Sequence, residues 1–409
     1  MTRGGSRPSS DRYPGHGFMS GVFLQGGLMK KFTTMLLGCF LLLGFLMPVG
    51  RIPVSAAQTF TPSVLTTGND SDYASARQHA TYKFSSDGSE VFQLDVPKDG
   101  SLEWGLRTVE PGQINVSIHK KADASDLPVY AAFACTADRG NAFTLRQYIK
   151  KGTYYLKFPK MQNSYVLTLI QYSSEGGTIT SGSTVAGYCD AAVYLANSSI
   201  PFISNTYSYK AAQTGYLTMY KRNLVDISAS MSISFYEGKK KITDFSSDHD
   251  ISGLITFPVK KGTSYKIRVG VLKDGQQFYQ MKFNFVPLKE KSGASREKAV
   301  SVSLKKNIRG MVYAEEAMNK QDWYKFTNRT SRKLKFTYTG GSISGSIDIF
   351  IYDKKMKKVG ACHVMPMIEA SNSITLKNSG SQLKKGTYYI KVVKNKKQTA
   401  GYYDFKIHP

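Results

Sequence analysis

One phrase of about nine residues occurs three times in this 409-residue chain. Lys150-Lys151-Gly152-Thr153-Tyr154-Tyr155-Leu156-Lys157-Phe158 returns as Lys260-Lys261-Gly262-Thr263-Ser264-Tyr265-Lys266-Ile267-Arg268-Val269, and again as Lys384-Lys385-Gly386-Thr387-Tyr388-Tyr389-Ile390-Lys391-Val392. The glycines stand 110 and 124 residues apart, a spacing that fits whole domains rather than the short units of a solenoid. In each copy the glycine gives a turn its backbone freedom. The alternation after it puts Tyr154, Leu156 and Phe158, or Tyr388, Ile390 and Val392, on one face of a strand.

A second alternating run follows every copy: Tyr165 to Leu169, Tyr279 to Phe285, and Tyr403 to Ile407. Each module is therefore expected to close with a hairpin. Further runs precede the repeats. They are Val91 to Val96, Ser101 to Trp104 and Ile114 to Ile118; then Thr206 to Tyr209, Tyr216 to Tyr220 and Met231 to Tyr236; and finally Asp322 to Phe326, Leu334 to Tyr338 and Ser346 to Asp353. With 26 tyrosines and 36 glycines, the chain favours strands and turns over helices. The expected fold is all-β: three tandem antiparallel β-sandwich (jelly-roll-like) domains at residues 58–175, 176–290 and 291–409, the middle one the most diverged. The boundaries fall in two polar linkers, Ser173 to Gly177 and Lys289 to Gly293.

Residues 1–57 read as a leader. Met29-Lys30-Lys31, the apolar stretch Phe32 to Val49, and Ser55-Ala56-Ala57 have the order of a secretory signal peptide, with cleavage expected after Ala56 or Ala57. An uncleaved N-terminal anchor is the alternative. Leu36-Leu37-Gly38-Cys39 looks like a lipoprotein box, but the apolar run continues past it. Residues 1–28 read as an upstream extension or a mis-assigned start. Beyond the leader remain Cys135, Cys189 and Cys362, one per module, which is no disulfide framework and no metal spacing. They are expected to be buried thiols.

Motif chemistry is absent from the sequence. There is no His-Glu-x-x-His, no Gly-x-Ser-x-Gly and no phosphate-cradling glycine loop. His79, His119, His249, His363 and His408 are scattered; Cys362-His363 would point to opposite faces of a strand, and Asp248-His249-Asp250 reads as a solvated turn. No catalytic residue and no cofactor are expected. Charge is the stronger signal. The net charge is +26, and residues 293–409 hold 23 basic against 8 acidic side chains. Candidate binding residues are Lys354, Lys355, Lys357 and Lys358 in one turn, Lys384 and Lys385 at the repeat, Lys394, Lys396 and Lys397 in the closing hairpin, and Arg329, Arg332 and Lys333, with Lys335, in a further loop. Such a surface attracts polyanions.

Asp322-Trp323-Tyr324-Lys325-Phe326, Ile347 to Asp353, and Gly386 to Val392 give the third module its likeness: it resembles the bacterial pre-peptidase C-terminal domain, over roughly residues 296–409. The resemblance implies a jelly-roll-like sandwich of the kind that accompanies secreted proteases. Some relatives bind calcium through several acids near their N-terminal segment. Here Met318-Asn319-Lys320-Gln321-Asp322 offers one acid and a lysine, with Glu315 and Glu316 as loose candidates and Asp70 and Asp72 in the first module reading as solvated turn residues. The sequence therefore points to an exported, non-catalytic protein that attaches to an anionic cell-wall or membrane-surface polymer, or to an extracellular protein or glycan. No nucleic-acid partner is expected. The alternative is a stand-alone accessory or inhibitory partner of a secreted protease.

Overall fold

Alternation in the sequence becomes alternation in burial: Val91–Val96 is half-buried and buried by turns, and Asn205–Lys210 is buried and exposed by turns. The computed structural model describes residues 58–107, 112–137, 143–160, 164–191, 203–224, 230–247, 254–272, 275–366, 371–378, 380 and 382–409. The leader, His249 and its flanking aspartates, and the side chain of Cys135 lie outside them.

The first stretch holds β1 (Thr59–Phe60), β2 (Ser63–Leu65), helix α1 (Asp70–His79), β3 (Thr81–Phe84), β4 (Val91–Val96), β5 (Gly100–Arg107), β6 (Gly112–His119), β7 (Tyr130–Ala137), β8 (Phe143–Ile149), β9 (Gly152–Lys157) and β10 (Tyr165–Ser173). The second holds β11 (Gly177–Thr178), β12 (Thr184–Ala191), β13 (Asn205–Lys210), β14 (Gly215–Asn223), β15 (Met231–Glu237), β16 (Lys240–Ser247), β17 (Leu254–Val259), β18 (Ser264–Val271) and β19 (Gly275–Pro287). The third holds β20 (Val300–Ser301), β21 (Ile308–Val312), β22 (Asp322–Asn328), β23 (Leu334–Ile343), β24 (Ile347–Asp353), β25 (Lys358–Val364), β26 (Asn372–Leu376), β27 (Gly386–Lys394) and β28 (Ala400–His408).

Every described sheet draws its strands from one stretch, and the strand order recurs. The orders β1-β4-β9-β6-β7, β11-β13-β18-β15-β16 and β20-β22-β27-β24-β25 face β2-β10-β5-β8, β12-β19-β14-β17 and β21-β28-β23-β26 in turn. Facing sheets share a core. In the third stretch Tyr324, Ile349 and Ile390 from one sheet meet Phe336, Phe405 and Ile407 from the other. The repeated Lys-Lys-Gly phrase leads each time into the central strand of the first sheet.

The expected closing hairpins are not formed. β27 pairs with β22 and β24, whereas β28 pairs with β21 and β23, and β9/β10 and β18/β19 divide in the same way. Each final pair is an arch that carries the chain from one sheet across the core to the other. Period-two alternation states only that a strand has a dry and a wet face; it reads alike for strands side by side and for strands facing one another. Nor are the polar linkers free. Gly177–Thr178 runs parallel to Tyr207–Ser208, and Gly293 bridges Trp323.

Asp70 and Asp72, expected in a turn, open helix α1 instead. Asn69 caps it by accepting the N–H of Asp72 (2.8 Å), and the Asp72 carboxylate accepts the N–H groups of Thr66, Thr67 and Gly68 at 2.7–2.9 Å. Burial raises the pKa of Asp72, but these three donors outweigh it and hold the carboxyl below its ordinary range.

The described residues, from 58 onward, close on one another as one continuous unit. Leu65, Ile170 and Tyr172 pack on Tyr188, Ile203 and Phe278 where the first stretch meets the second. Tyr216 stacks on Tyr402, centroids 4.2 Å apart, where the second meets the third.

A glycine–tyrosine pair recurs within two sandwiches. Gly187 lies opposite Tyr279, and Gly310 lies opposite Tyr403. Both rings are fully buried and lie over the bare glycine Cα, in space that a Cβ would occupy. Their hydroxyls meet Tyr207 at 3.0 Å and Tyr324 at 2.8 Å across the core.

Candidate functional site

Strand register decides which of the basic clusters share a surface. Asn328 at the end of β22 lies opposite Gly386 at the start of β27, and Asp353 at the end of β24 lies opposite Tyr388. Leu334 at the start of β23 faces Leu376 at the end of β26, and the neighbouring Lys335 faces His408 at the end of β28. The turns at 329–333, 354–357 and 377–385 therefore gather at one end of the third sandwich. Cross-links hold them there: Arg332 bridges Leu383, the Lys385 N–H donates to Ser331 Oγ (3.3 Å), and Arg296 donates to the Lys354 carbonyl (2.6 Å).

Arg329, Lys333, Lys335, Lys354, Lys355, Lys357, Lys358, Lys384 and Lys385 are exposed at this end, and Arg332 is half-buried, donating to Asn328 Oδ1 (3.2 Å). The topology adds Lys305, Lys306 and Lys377, which sequence reasoning missed. Their signal was present as plain lysines. What was absent from the sequence is the pairing that brings the loop after β20, tied by Lys305 N–H to the Ile407 carbonyl (2.7 Å), to the same end.

Asp353, the carboxylate within these turns, is occupied in accepting the Lys355 and Lys357 N–H groups at 2.8 and 2.9 Å. Among the described residues none of these cations is ion-paired. The Asp353 charge offsets one of these cations, and the field of the end is strongly net positive.

Lys394, Lys396 and Lys397 do not belong to this surface. They lie at the opposite end, Lys394 closing β27 and Lys396 and Lys397 in the arch that follows, where Thr243 Oγ1 of the second stretch donates to the Gln398 carbonyl (2.9 Å). Lys396 and Lys397 are exposed. Lys394 is a correction to the sequence reading: it is 4% exposed and its ammonium donates to the carbonyls of Tyr313, Ala314 and Lys397 at 3.1, 2.9 and 2.8 Å. It falls on the buried phase of β27, in step with Tyr388, Ile390 and Val392, so its side chain turns inward and pins the segment before β22.

The calcium candidates are each held by partners of their own. Glu315 pairs with Lys260 (3.3 Å), Glu316 pairs with Lys320, and Asp322 accepts from Ser292 Oγ (2.8 Å) and the Tyr403 hydroxyl (2.9 Å). With Lys320 beside them, this donor set does not fit a hard dication. Glu290, in the linker, was not singled out from sequence. Burial, together with the Asp322 charge beside it, pushes its carboxyl up to about 8. The unfolded chain ionises Glu290 near 4.5, so the folded state holds an extra proton from there to about pH 8 and stability falls as pH rises through that window. Glu290→Gln is expected to remove this slope. In denaturant titrations it should match the parent near pH 4 and exceed it at pH 8 by on the order of 1–3 kcal/mol.

The described histidines stand apart. His119 is buried between the Asp126 carbonyl (2.9 Å) and Ser117 Oγ (2.8 Å), and exposed His363 meets Asp348 (2.9 Å). Cys362 is buried, its thiol pushed up to about 12 by burial, while His363 points outward. Cys189 is fully buried and raised likewise. One polar groove of about 200 Å3 lies on the second stretch, lined by Asp190, Ser232, Ser234, Tyr236 and Arg268. The Arg268 Nε donates to Ser204 Oγ there (2.9 Å).

No protein-family model matches the chain, and no curated protein matches it. Solved structures do. The pre-peptidase C-terminal domain of a collagenase from Bacillus anthracis aligns at 13% identity over 30% of this chain and 99% of its own, with a TM-score of 0.21. Tripeptidyl peptidase 2 aligns at 7% identity over 82% of this chain and 34% of its own, with a TM-score of 0.22. The M60 catalytic domain with the CBM51-1 and CBM51-2 domains from Clostridium perfringens ZmpB aligns at 8% identity over 72% of this chain and 52% of its own, with a TM-score of 0.19. At these scores the likenesses carry no functional argument.

Proposed function

We propose that this chain is an exported, non-catalytic binding protein of three tandem sandwich modules, with boundaries near residues 175 and 290, that attaches through the basic end of its third module to an anionic polymer of the cell envelope or extracellular matrix. The observation that carries this reading is the convergence of four loops from separate parts of the sequence on one end, with Asp353 as their internal carboxylate already occupied. Lysines merely scattered for solubility need not gather in this way. The contact is electrostatic and so weakens steeply with salt.

Sedimentation with a purified phosphate-rich wall polymer at rising salt tests it. Reversing Lys354, Lys355, Lys357 and Lys358 to glutamate is expected to weaken binding by on the order of 100-fold at low salt. Reversing Lys396 and Lys397, at the other end, should change it less than threefold. Equal losses from the two sets, or none from the first, would overturn the reading.

A further inference from the structure

The turn from β24 to β25 carries more than charge. Its tip is Met356, with Lys354 and Lys355 before it and Lys357 and Lys358 after it, all exposed. Met356 is 37% exposed and sits at φ 64, in the left-handed region where an L side chain is strained and glycine is at ease. The corresponding turn between β15 and β16 has Gly238 at φ 60. A glycine would serve the backbone of the third turn equally well, yet a long apolar side chain stands there.

The turn is also hydrogen-bonded to itself. Asp353 Oδ1 accepts two N–H groups of the turn, the Met356 N–H donates to the Asp353 carbonyl (3.0 Å), and the Asp353 N–H donates to the Lys357 carbonyl (2.9 Å). A second strained residue, Lys305 at φ 66, lies at the same end. Non-glycine residues held in this region concentrate where strain serves a function.

We propose that the basic end docks on the surface of an anionic phospholipid bilayer, with Met356 entering the acyl boundary between headgroups held by the four lysines. The inference rests on the reading of this end as an anion-binding surface and takes the anion to be a phospholipid headgroup in place of a polymer. An apolar tip gains nothing from a hydrated polymer, whereas at a bilayer it is removed from water while its flanking cations stay at the headgroup level. One anchor of this size gives reversible attachment, so both charge and tip are needed.

The test uses the chain from residue 58 onward, the continuous unit described above, and two probes: vesicles of phosphatidylcholine with 30% phosphatidylglycerol as an order-of-magnitude anionic content (about 30%), and soluble inorganic polyphosphate. Met356→Gly keeps every lysine and relieves the backbone. It is expected to weaken vesicle binding about tenfold and leave polyphosphate binding within about twofold. Because Trp104 and Trp323 are both buried, Met356→Trp supplies a local reporter, whose emission should shift to the blue with vesicles and stay in place with polyphosphate. Unchanged vesicle binding by Met356→Gly, or an unmoved emission from Met356→Trp, overturns the lipid inference while polyphosphate binding by the parent leaves the polyanion reading standing. Binding to neither probe overturns both.

Discussion

Lys394→Met is expected to destabilise the protein by about 3 kcal/mol or more, although the substitution keeps the length of the side chain. The ammonium supplies donors to three carbonyls, of Tyr313, Ala314 and Lys397. A thioether donates to none of them; the Tyr313 carbonyl keeps the Glu316 N–H (3.2 Å) and Lys397 is exposed, so the main losses are the Ala314 carbonyl's donor and the inward fit of the ammonium, a buried acceptor left without a donor costing about 1–3 kcal/mol. Burial lowers the pKa of Lys394, with Glu316 and Glu315 offsetting part of that effect, so the charge is tolerated rather than free. Lys396→Met, on the same arch but exposed, is the control and should fall within about 0.5 kcal/mol of the parent. Guanidinium unfolding of the two variants decides the matter: equal midpoints would remove Lys394 from the core.

Gly310→Ala should do comparable damage by the opposite route. One methyl group is added to a site where the Tyr403 ring already lies against the glycine Cα. Tyr403 has no free direction in which to retreat, since its hydroxyl is held by Asp322 at 2.9 Å and meets Tyr324 at 2.8 Å. Overpacking of a dense core costs about 1–3 kcal/mol, and displacing the hydroxyl from its partners adds about 1 kcal/mol or more. Gly187→Ala should behave alike against Tyr279. Thermal unfolding followed by near-ultraviolet circular dichroism would show it, and a variant as stable as the parent would mean that the ring is not seated as described.

The strands were legible because burial follows residue type with period two. Val91 to Val96 was read to the residue, and Met231 to Tyr236 and Asp322 to Phe326 each fall within one observed strand. What the pattern could not convey was partnership. Tyr388 to Val392 and Tyr403 to Ile407 look like the two arms of a hairpin, and only the register shows that they face each other across a core. The same gap accounts for the candidate site. Lysines adjacent in sequence were found at once, but that residues 329–333, 354–358 and 384–385 share an end while Lys394 points inward depends on which strands are neighbours. Helix α1 was missed because its apolar stripe is nearly absent; Asn69 with Asp72 was the one local signal of its start. The glycine–tyrosine pairs were hidden for a related reason, since Gly187 and Tyr279 are far apart in the chain and meet only through the ladder.

The seams between successive sandwiches have an energetic consequence. Tyr216 has its partner ring on Tyr402, and Tyr188 shares a cluster with Ile170 and Tyr172, so the middle stretch covers apolar surface on both neighbours while each neighbour covers one side of it. Excising the middle stretch would bare two seams at once, whereas trimming a terminal one bares a single seam. The middle segment is thereby the one whose loss would weaken the whole array most.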